Sequence, residues 1–205
     1  MNEIIKSLKN RKSVRVYEDK AIGTEEKAAI IEAALQAPTA GNMTLYTIID
    51  VTDKSLKETL AITCDNQPFI AKAPLVLVFC ADYYRWMCAF KKYAKDVRGL
   101  SYGDLFLANA DALIAAQNAV VAAESLGIGS CYIGDITENF EKHRELFDLP
   151  KAWCLHVCCA SVILQKAREK GKSPKGLRLR ILFLRIHTAK PRLRIWTLCF
   201  PKGRI

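Results

Sequence analysis

Arg11, Lys12, Ser13 and Arg15 form the densest set of anion-binding side chains in the sequence. Two guanidinium groups, an ammonium, a hydroxyl and nearby backbone N–H groups suit a phosphate dianion, because Arg donates paired hydrogen bonds in a fixed fork. On spacing alone, a solvated charged loop is the stronger reading. Neither a GxGxxG nor a GxxxxGK[ST] run occurs, so those two phosphate-binding designs do not account for the cluster. A second stretch, "APTAGNMT" (37–44), follows a helix end with small residues, a Gly and Asn42. Its backbone could approach a flat ligand closely, and Asn42 can both donate and accept. A plain helix–strand connection explains it equally. A third, "GIGSCYIGD" (127–135), ends an apolar helix with backbone N–H groups open near Gly134.

The elements that must position these stretches follow from periodicity. "NEIIKSLKN" spaces Ile4, Ile5 and Leu8 for one helical face. "TEEKAAIIEAALQA" (24–37) reads as a helix with Thr24 as N-cap, acids in its first turn and Pro38 as its stop. "YTIIDV" and "APLVLVFCAD" read as strands, the second buried on both faces, with "DKSLKETLAITC" helical between them. "YYRWMCAFKKYAKDV" (83–97) has helical spacing and suits a core or an interface. The strongest element is the Ala-rich helix 104–130, apolar over most of its circumference and therefore expected to be central and buried. Gly127 and Gly129 should close it, "CYIGD" gives a short strand and "TENFEKHRELFDLP" a capped helix. Too few strands are present for a doubly wound sheet, so an α+β layer fold is expected, one domain to about residue 165.

Composition narrows the class. The chain has 205 residues, half of them apolar and a quarter charged, which is globular. No apolar run reaches membrane-spanning length, and the N-terminus lacks a signal peptide's apolar core, so a cytoplasmic protein without membrane contact is expected. Eight cysteines occur without a CxxC, which fits buried, reduced thiols. In "CLHVCC", Cys154, His156 and Cys158 would share one face of a strand, but a zinc site usually takes four ligands, and no metal is expected. His143 and His156 read as a surface and a core residue. The net charge of +10 is unevenly spread: residues 1–150 sum to −3, and residues 151–205 to +13.

Four stretches in order, "RKSVRVYEDK", "AALQAPTAGNMTLY", "DNQPFIAKAPLVLVFCAD" and "AAQNAVVAAESLGIGSCYIGD", resemble the nitroreductase-like flavoprotein family, in its compact branch without an iron–sulfur domain. The resemblance implies an α+β fold, a mostly antiparallel central sheet flanked by helices with a long buried central helix. It implies a homodimer with FMN at each subunit interface. Arg11, Lys12, Ser13 and Arg15 would hold the FMN phosphate. Pro38, Thr39, Ala40 and Asn42 would line the flavin ring from the partner subunit. Asn66, with Gln67 beside it, would hydrogen-bond the pyrimidine edge, and Ile133 and Gly134 would present backbone near N5. The family often carries Gln-Pro where this chain has Thr44-Leu45. The implied activity is ping-pong hydride transfer from NAD(P)H through the flavin to an electron-poor acceptor such as a nitroaromatic or a quinone. No general base is implied, so no residue is assigned as catalytic. Donors and cations near the flavin's N1 and O2 would favour its reduced, anionic form.

The segment after residue 165 stands apart. Its last thirty residues contain no Asp or Glu, and the family's Gly-Tyr-Pro turn is missing. If the codons for residues 152–205 are regrouped one nucleotide earlier, "ASVILQK" can encode "FGYPAE" and "LRIHTA" can encode "ENTYR". Both strings fit the family in that order. The basic tail, 166–205, is therefore expected to be out of frame relative to the family, with a slip near Lys151–Ala152. Two other readings remain: a degenerate, non-catalytic flavin-fold protein, and a protein that binds nucleic acid through the tail. Nucleic acid is not the expected partner, since "ILFLRI" and "RIWTLCF" are as apolar as they are basic.

Overall fold

Leu75–Ala81 (β2) is buried at every residue, and that continuous burial sets the layers of the fold. The computed structural model describes residues 2–149, 160–166, 183–185 and 196–198. Successive side chains of a strand point to opposite faces. Leu75, Leu77 and Phe79 therefore enter one apolar cluster, while Val76, Val78 and Cys80 enter another on the reverse face. A strand buried on both faces needs a layer of helices on each.

The elements before β2 are α1 (Glu3–Asn10), α2 (Thr24–Leu35), a 3-10 turn (Ala40–Asn42), β1 (Tyr46–Asp50), α3 (Lys54–Thr63) and α4 (Phe69–Lys72). After it come α5 (Tyr84–Tyr93), α6 (Tyr102–Ser125), β3 (Ile128–Ile133), α7 (Asp135–Glu138), α8 (Phe140–Leu146) and β4 (Ala160–Lys166). The four strands form one antiparallel sheet in the order β1-β2-β4-β3. The α+β fold expected from the sequence is the fold observed.

Helix α6 covers one face of the sheet together with α2. Its inner ridge is nearly all small: Ala108, Ala112, Ala115, Ala116, Ala119 and Ala123 are at most 1% exposed. Small side chains let its backbone lie close to Leu77 and Phe79. Ser101 caps the helix, and Asp104 closes the capping box while binding Arg98. The opposite face packs α3, α7 and α8.

Several expectations need correction. The Ala-rich helix ends at Ser125, and Gly129 lies in β3 opposite Gln165, so Gly127 alone closes the helix, at φ 73°. The helix is also not buried all round: Phe106, Leu107, Leu113 and Ile114 are 40–68% exposed. These four side chains stay open to solvent in the single chain. The same holds for α1, whose Ile4, Ile5 and Leu8 stay exposed. By length and composition α6 could cross a membrane, yet its inner ridge packs the sheet. Gly23, not Thr24, is the N-cap of α2, and Glu26 accepts from the Gly23 N–H. "TENFEKHRELFDLP" forms α7 and α8 rather than one helix, and His143 is buried, not at the surface.

Cys64, Cys80 and Cys131 are buried thiols and Cys88 an exposed one, none of them in a disulfide. The "CLHVCC" residues and Cys199 lie outside the described residues. The chain divides into compact units Met1–Arg168 and Glu169–Ile205. In the second, β5 (Phe183–Arg185) pairs antiparallel with β6 (Trp196–Leu198). The rest of the basic tail lies outside the described residues.

Candidate functional site

The cationic run leaves α1 along the outer edge of the sheet. Ser13 forms a parallel bridge with Ser130 of the edge strand β3, and the Val14 N–H donates to the Ser130 carbonyl at 2.9 Å. The run thus covers an open sheet edge and gains a fixed position. The Arg15 guanidinium lies 5.8 Å from the centre of the Phe69 ring, and Tyr17 meets the same ring edge-on at 6.2 Å. Arg11 lies beside Glu124 and Tyr132. Burial raises both of their pKa values, Tyr132 to about 12, and the Arg11 charge opposes the rise. Among the described residues, none of Arg11, Lys12 and Arg15 has a carboxylate within ion-pair distance. Cations held along this edge without a close ion pair can receive an anion.

The end of α3 turns through two left-handed residues, Asp65 at φ 57° and Asn66 at φ 51°. The Gln67 N–H reaches back to the Ala61 carbonyl at 2.7 Å and closes the wrapped helix end. Asn66 is exposed. The Gln67 side-chain amide donates to the Cys64 carbonyl and to Asp135, both at 2.9 Å. Gln67 therefore ties the 66–69 loop to the segment just after β3. Two further bonds reinforce this tie. Asn139 donates to the Thr63 carbonyl, and the His143 ring bridges Ile136 and Thr63. A carbonyl can only accept, so Nδ1 of His143 carries the proton toward Ile136 and Nε2 accepts from the Thr63 hydroxyl. Burial holds the His143 pKa below its ordinary value.

Ile133 is buried and Gly134 exposed at the head of α7. A Cβ at Gly134 would meet nothing within 4 Å. Its φ of −79° suits any residue. Among the described residues the space beside this backbone is left open, which suits a ligand lying against it.

The fourth stretch is built differently. Pro38 follows the end of α2, and Ala37 sits in the α2/α6 cluster. Gly41, Asn42 and Thr44 are all left-handed, at φ 57°, 58° and 53°. For Asn this is tolerable. For a β-branched Thr it costs about 1–3 kcal/mol and must be held. Thr39 accepts from the Thr44 N–H through its hydroxyl at 3.1 Å. Arg85 of α5 donates to the carbonyls of Thr44 and Tyr46, and the Trp86 indole donates to that of Met43 at 2.7 Å. From α6, the buried Asp111 carboxylate accepts from the N–H groups of Ala40 and Leu45. The Thr44-Leu45 departure matters here, because a proline at 45 would have no N–H to give.

The sequence-predicted residues thus fall into two groups. Arg11–Arg15, Asn66-Gln67 and Ile133-Gly134 are joined by the contacts just described, around the α3 face of the sheet. Pro38–Asn42 belongs with α5 and α6, beside the Leu45, Ala81, Tyr83 and Ala108 cluster. Sequence reasoning did not single out Asp111, Arg85, Trp86 or Phe69. The one available signal was Asp111 itself, an acid in the middle of the Ala-rich ridge of α6.

Residues 8–161 match the model of the nitroreductase family. The chain belongs to the nitroreductase family. An FMN reductase [NAD(P)H] of Bacillus subtilis is 38% identical over 153 residues, 74% of this chain and 61% of that protein. An FMN reductase (NADPH) from the same organism is 34% identical over 152 residues, with 73% and 61% covered. The chain spans about three fifths of the length of these curated relatives. Among solved structures, NfrA2 of B. megaterium superposes with a TM-score of 0.76 at 34% identity, covering 85% of this chain and 71% of that one. The nitroreductase fold is therefore established for this chain.

Proposed function

We propose that this nitroreductase-family chain is an FMN-dependent oxidoreductase that takes hydride from NAD(P)H and passes it to an electron-poor acceptor such as a nitroaromatic or a quinone. The observation that carries the reading is the set of cations without a close ion pair among the described residues, carried along the β3 edge beside an exposed Asn66 and an unfilled approach to Gly134. These donors fit a phosphate followed by a planar ring system. When bound, FMN would supply two-electron transfer between a nicotinamide and an acceptor. Arg11, Lys12, Ser13 and Arg15 would neutralise the phosphate. Asn66 would hydrogen-bond the pyrimidine edge, while Gln67 keeps its amide on Asp135 and so fixes the loop that presents Asn66. Ile133 and Gly134 would offer open backbone beside the ring. The chain's contribution is binding and orientation, with no side chain assigned as a general base.

The assembly we propose is a homodimer with each FMN at the interface, working in the cytoplasm. Within one chain, Pro38–Asn42 is bonded to α5 and α6 and not to the cationic group, which supports a site completed by a second copy. The exposed apolar faces of α1 and α6, two helices in contact, give that copy a surface to bury. Purified full-length protein should carry or take up FMN, show a flavin spectrum bleached by NADPH or NADH, and run as a dimer. A chain that neither binds added FMN nor bleaches it would sink the proposal.

A second reading, a degenerate member with a displaced tail, draws support from where the family match stops. It ends at residue 161, inside "ASVILQK", the stretch that regroups to "FGYPAE". We infer a one-nucleotide slip near Lys151–Ala152. Sequencing the coding DNA tests it: absence of any single-base change that restores an acidic, family-like continuation rejects the slip.

A further inference from the structure

We propose that Asp111 is a positioning residue that presets the 39–45 loop in its ligand-binding shape. The proposal rests on the flavin reading of that loop. Asp104 and Asp111 are one heptad apart on the buried ridge of α6, at 5% and 3% exposure, yet they are used differently. Asp104 is neutralised by Arg98. Asp111 has no cation within ion-pair distance among the described residues, and its recorded partners are backbone N–H groups of the loop. Oδ1 accepts from Ala40 at 3.0 Å, and Oδ2 from Ala40 and Leu45, each at 3.2 Å.

A buried carboxylate without a cation is costly unless N–H donors replace its water. The two groups therefore need each other: the loop solvates the charge, and the charge fixes the loop. The two gripped N–H groups bracket the left-handed residues Gly41, Asn42 and Thr44. A backbone so far from its preferred wells persists only when its surroundings over-determine it. Trp86 and Arg85 hold the carbonyl side from α5; on the N–H side Thr39 takes Thr44 from within the loop, and Asp111 takes Ala40 and Leu45 from α6. An acceptor-only group is required there. An amide of equal shape keeps one acceptor oxygen for the two donors, loses the charge, and turns its NH2 toward the Ala40 N–H.

Without Asp111 the loop would spread over several shapes, and a ligand would bind only the fraction that keeps this one. Apparent affinity falls by that fraction. The experiment compares Asp111→Asn with Val120→Ala, a fully buried change on the same helix away from the loop. Two measurements are made on the full-length protein: hydrogen exchange at the Ala40 and Leu45 amides, and FMN dissociation constants. We expect Asp111→Asn to speed exchange at those two amides by about tenfold relative to Val78, and to weaken FMN by a similar factor. Val120→Ala should lower the melting temperature without either change. Unaltered protection at Ala40 and Leu45 in Asp111→Asn overturns the proposal, as does an equal loss of FMN affinity in Val120→Ala. If Asp111→Asn does not fold, Trp86→Phe removes the Met43 bond of the opposite grip while Arg85 keeps its two, and should weaken FMN a few-fold; unchanged FMN affinity and unchanged exchange at Ala40 and Leu45 together overturn the proposal. A wild-type chain that fails to bind FMN rejects the functional reading instead, while the exchange data still judge the grip.

Discussion

The two halves of the candidate site are built on opposite principles. Along the β3 edge no residue from Arg11 to Tyr17 has a left-handed backbone, and the side chains are kept available: cations without a close ion pair among the described residues, beside an exposed amide. Around residues 39–45 the side chains matter less than the backbone, which is twisted into left-handed turns and gripped from two helices. One half receives charge, and the other presents a shape. Free charges can face water until a ligand arrives, whereas a strained backbone needs constant support. This explains why the second half sits against α5 and α6, and why a single chain need not bring the halves together.

The largest effect should come from keeping the halves apart. Phe106→Asp with Leu113→Asp places charges on the exposed face of α6, at positions that are 68% and 43% exposed in the single chain. The fold should survive, since neither residue belongs to the buried clusters. Light scattering should report a monomer, and tight FMN binding should vanish. A monomer that still binds FMN tightly would mean that one chain holds the whole site.

Next in size is the charge-receiving half. Arg11→Ala with Arg15→Ala removes two charge-assisted interactions of roughly 1.5–3 kcal/mol each, so FMN affinity should fall by about a hundredfold or more. The melting temperature should move little, because neither cation has an ion pair among the described residues. A complementation test uses the same variant. Asn42→Pro breaks the other half, since proline cannot adopt a φ of 58°. Remixed subunits of the two variants should recover tight binding at about a quarter of all sites, because half of the dimers are mixed and each has one intact pair. No recovery at all would place both halves in the same chain.

How much of this was legible in the sequence depends on whether the signal was local. The continuous apolar run of β2, the periodicity of α2 and α3 and the Ala-rich α6 each carry their pattern within a few turns. The resemblance in four short motifs found the site stretches for the same reason. Three features escaped. The α6–β3 boundary was misread because Gly129 looks like a helix terminator, while its real role is a sheet pairing with Gln165, far along the chain. Helix α4 is a single turn, too short to show a period. Asp111 acts on residues about 70 positions away, and Gln67 on Asp135 at a similar separation. No spacing rule encodes such contacts.

Smaller effects probe the strained half. Thr44→Gly exchanges a β-branched residue at φ 53° for one that adopts that angle freely. The strain released, about 1–3 kcal/mol, is partly offset by the greater freedom of glycine in the unfolded chain. A net gain of about 1 kcal/mol in urea unfolding is expected. A loss would show that the threonine side chain contributes more than its backbone costs.

The smallest effect concerns the latch behind Asn66. His143 joins α8 to the end of α3 with its ring neutral, and burial depresses its pKa in the folded state. The unfolded chain therefore takes up a proton, near the ordinary value of about 6.5, before the folded chain does. Stability from this residue is complete above that value and is lost as the pH falls through it. Unfolding free energy should thus decline between about pH 7.5 and 5.5, more steeply than in His143→Gln, which has no proton to gain in that range. If both proteins show the same slope, the decline belongs to other groups. If only the wild type declines, the 66–69 loop is the part of the receiving half that rests on a titrating group.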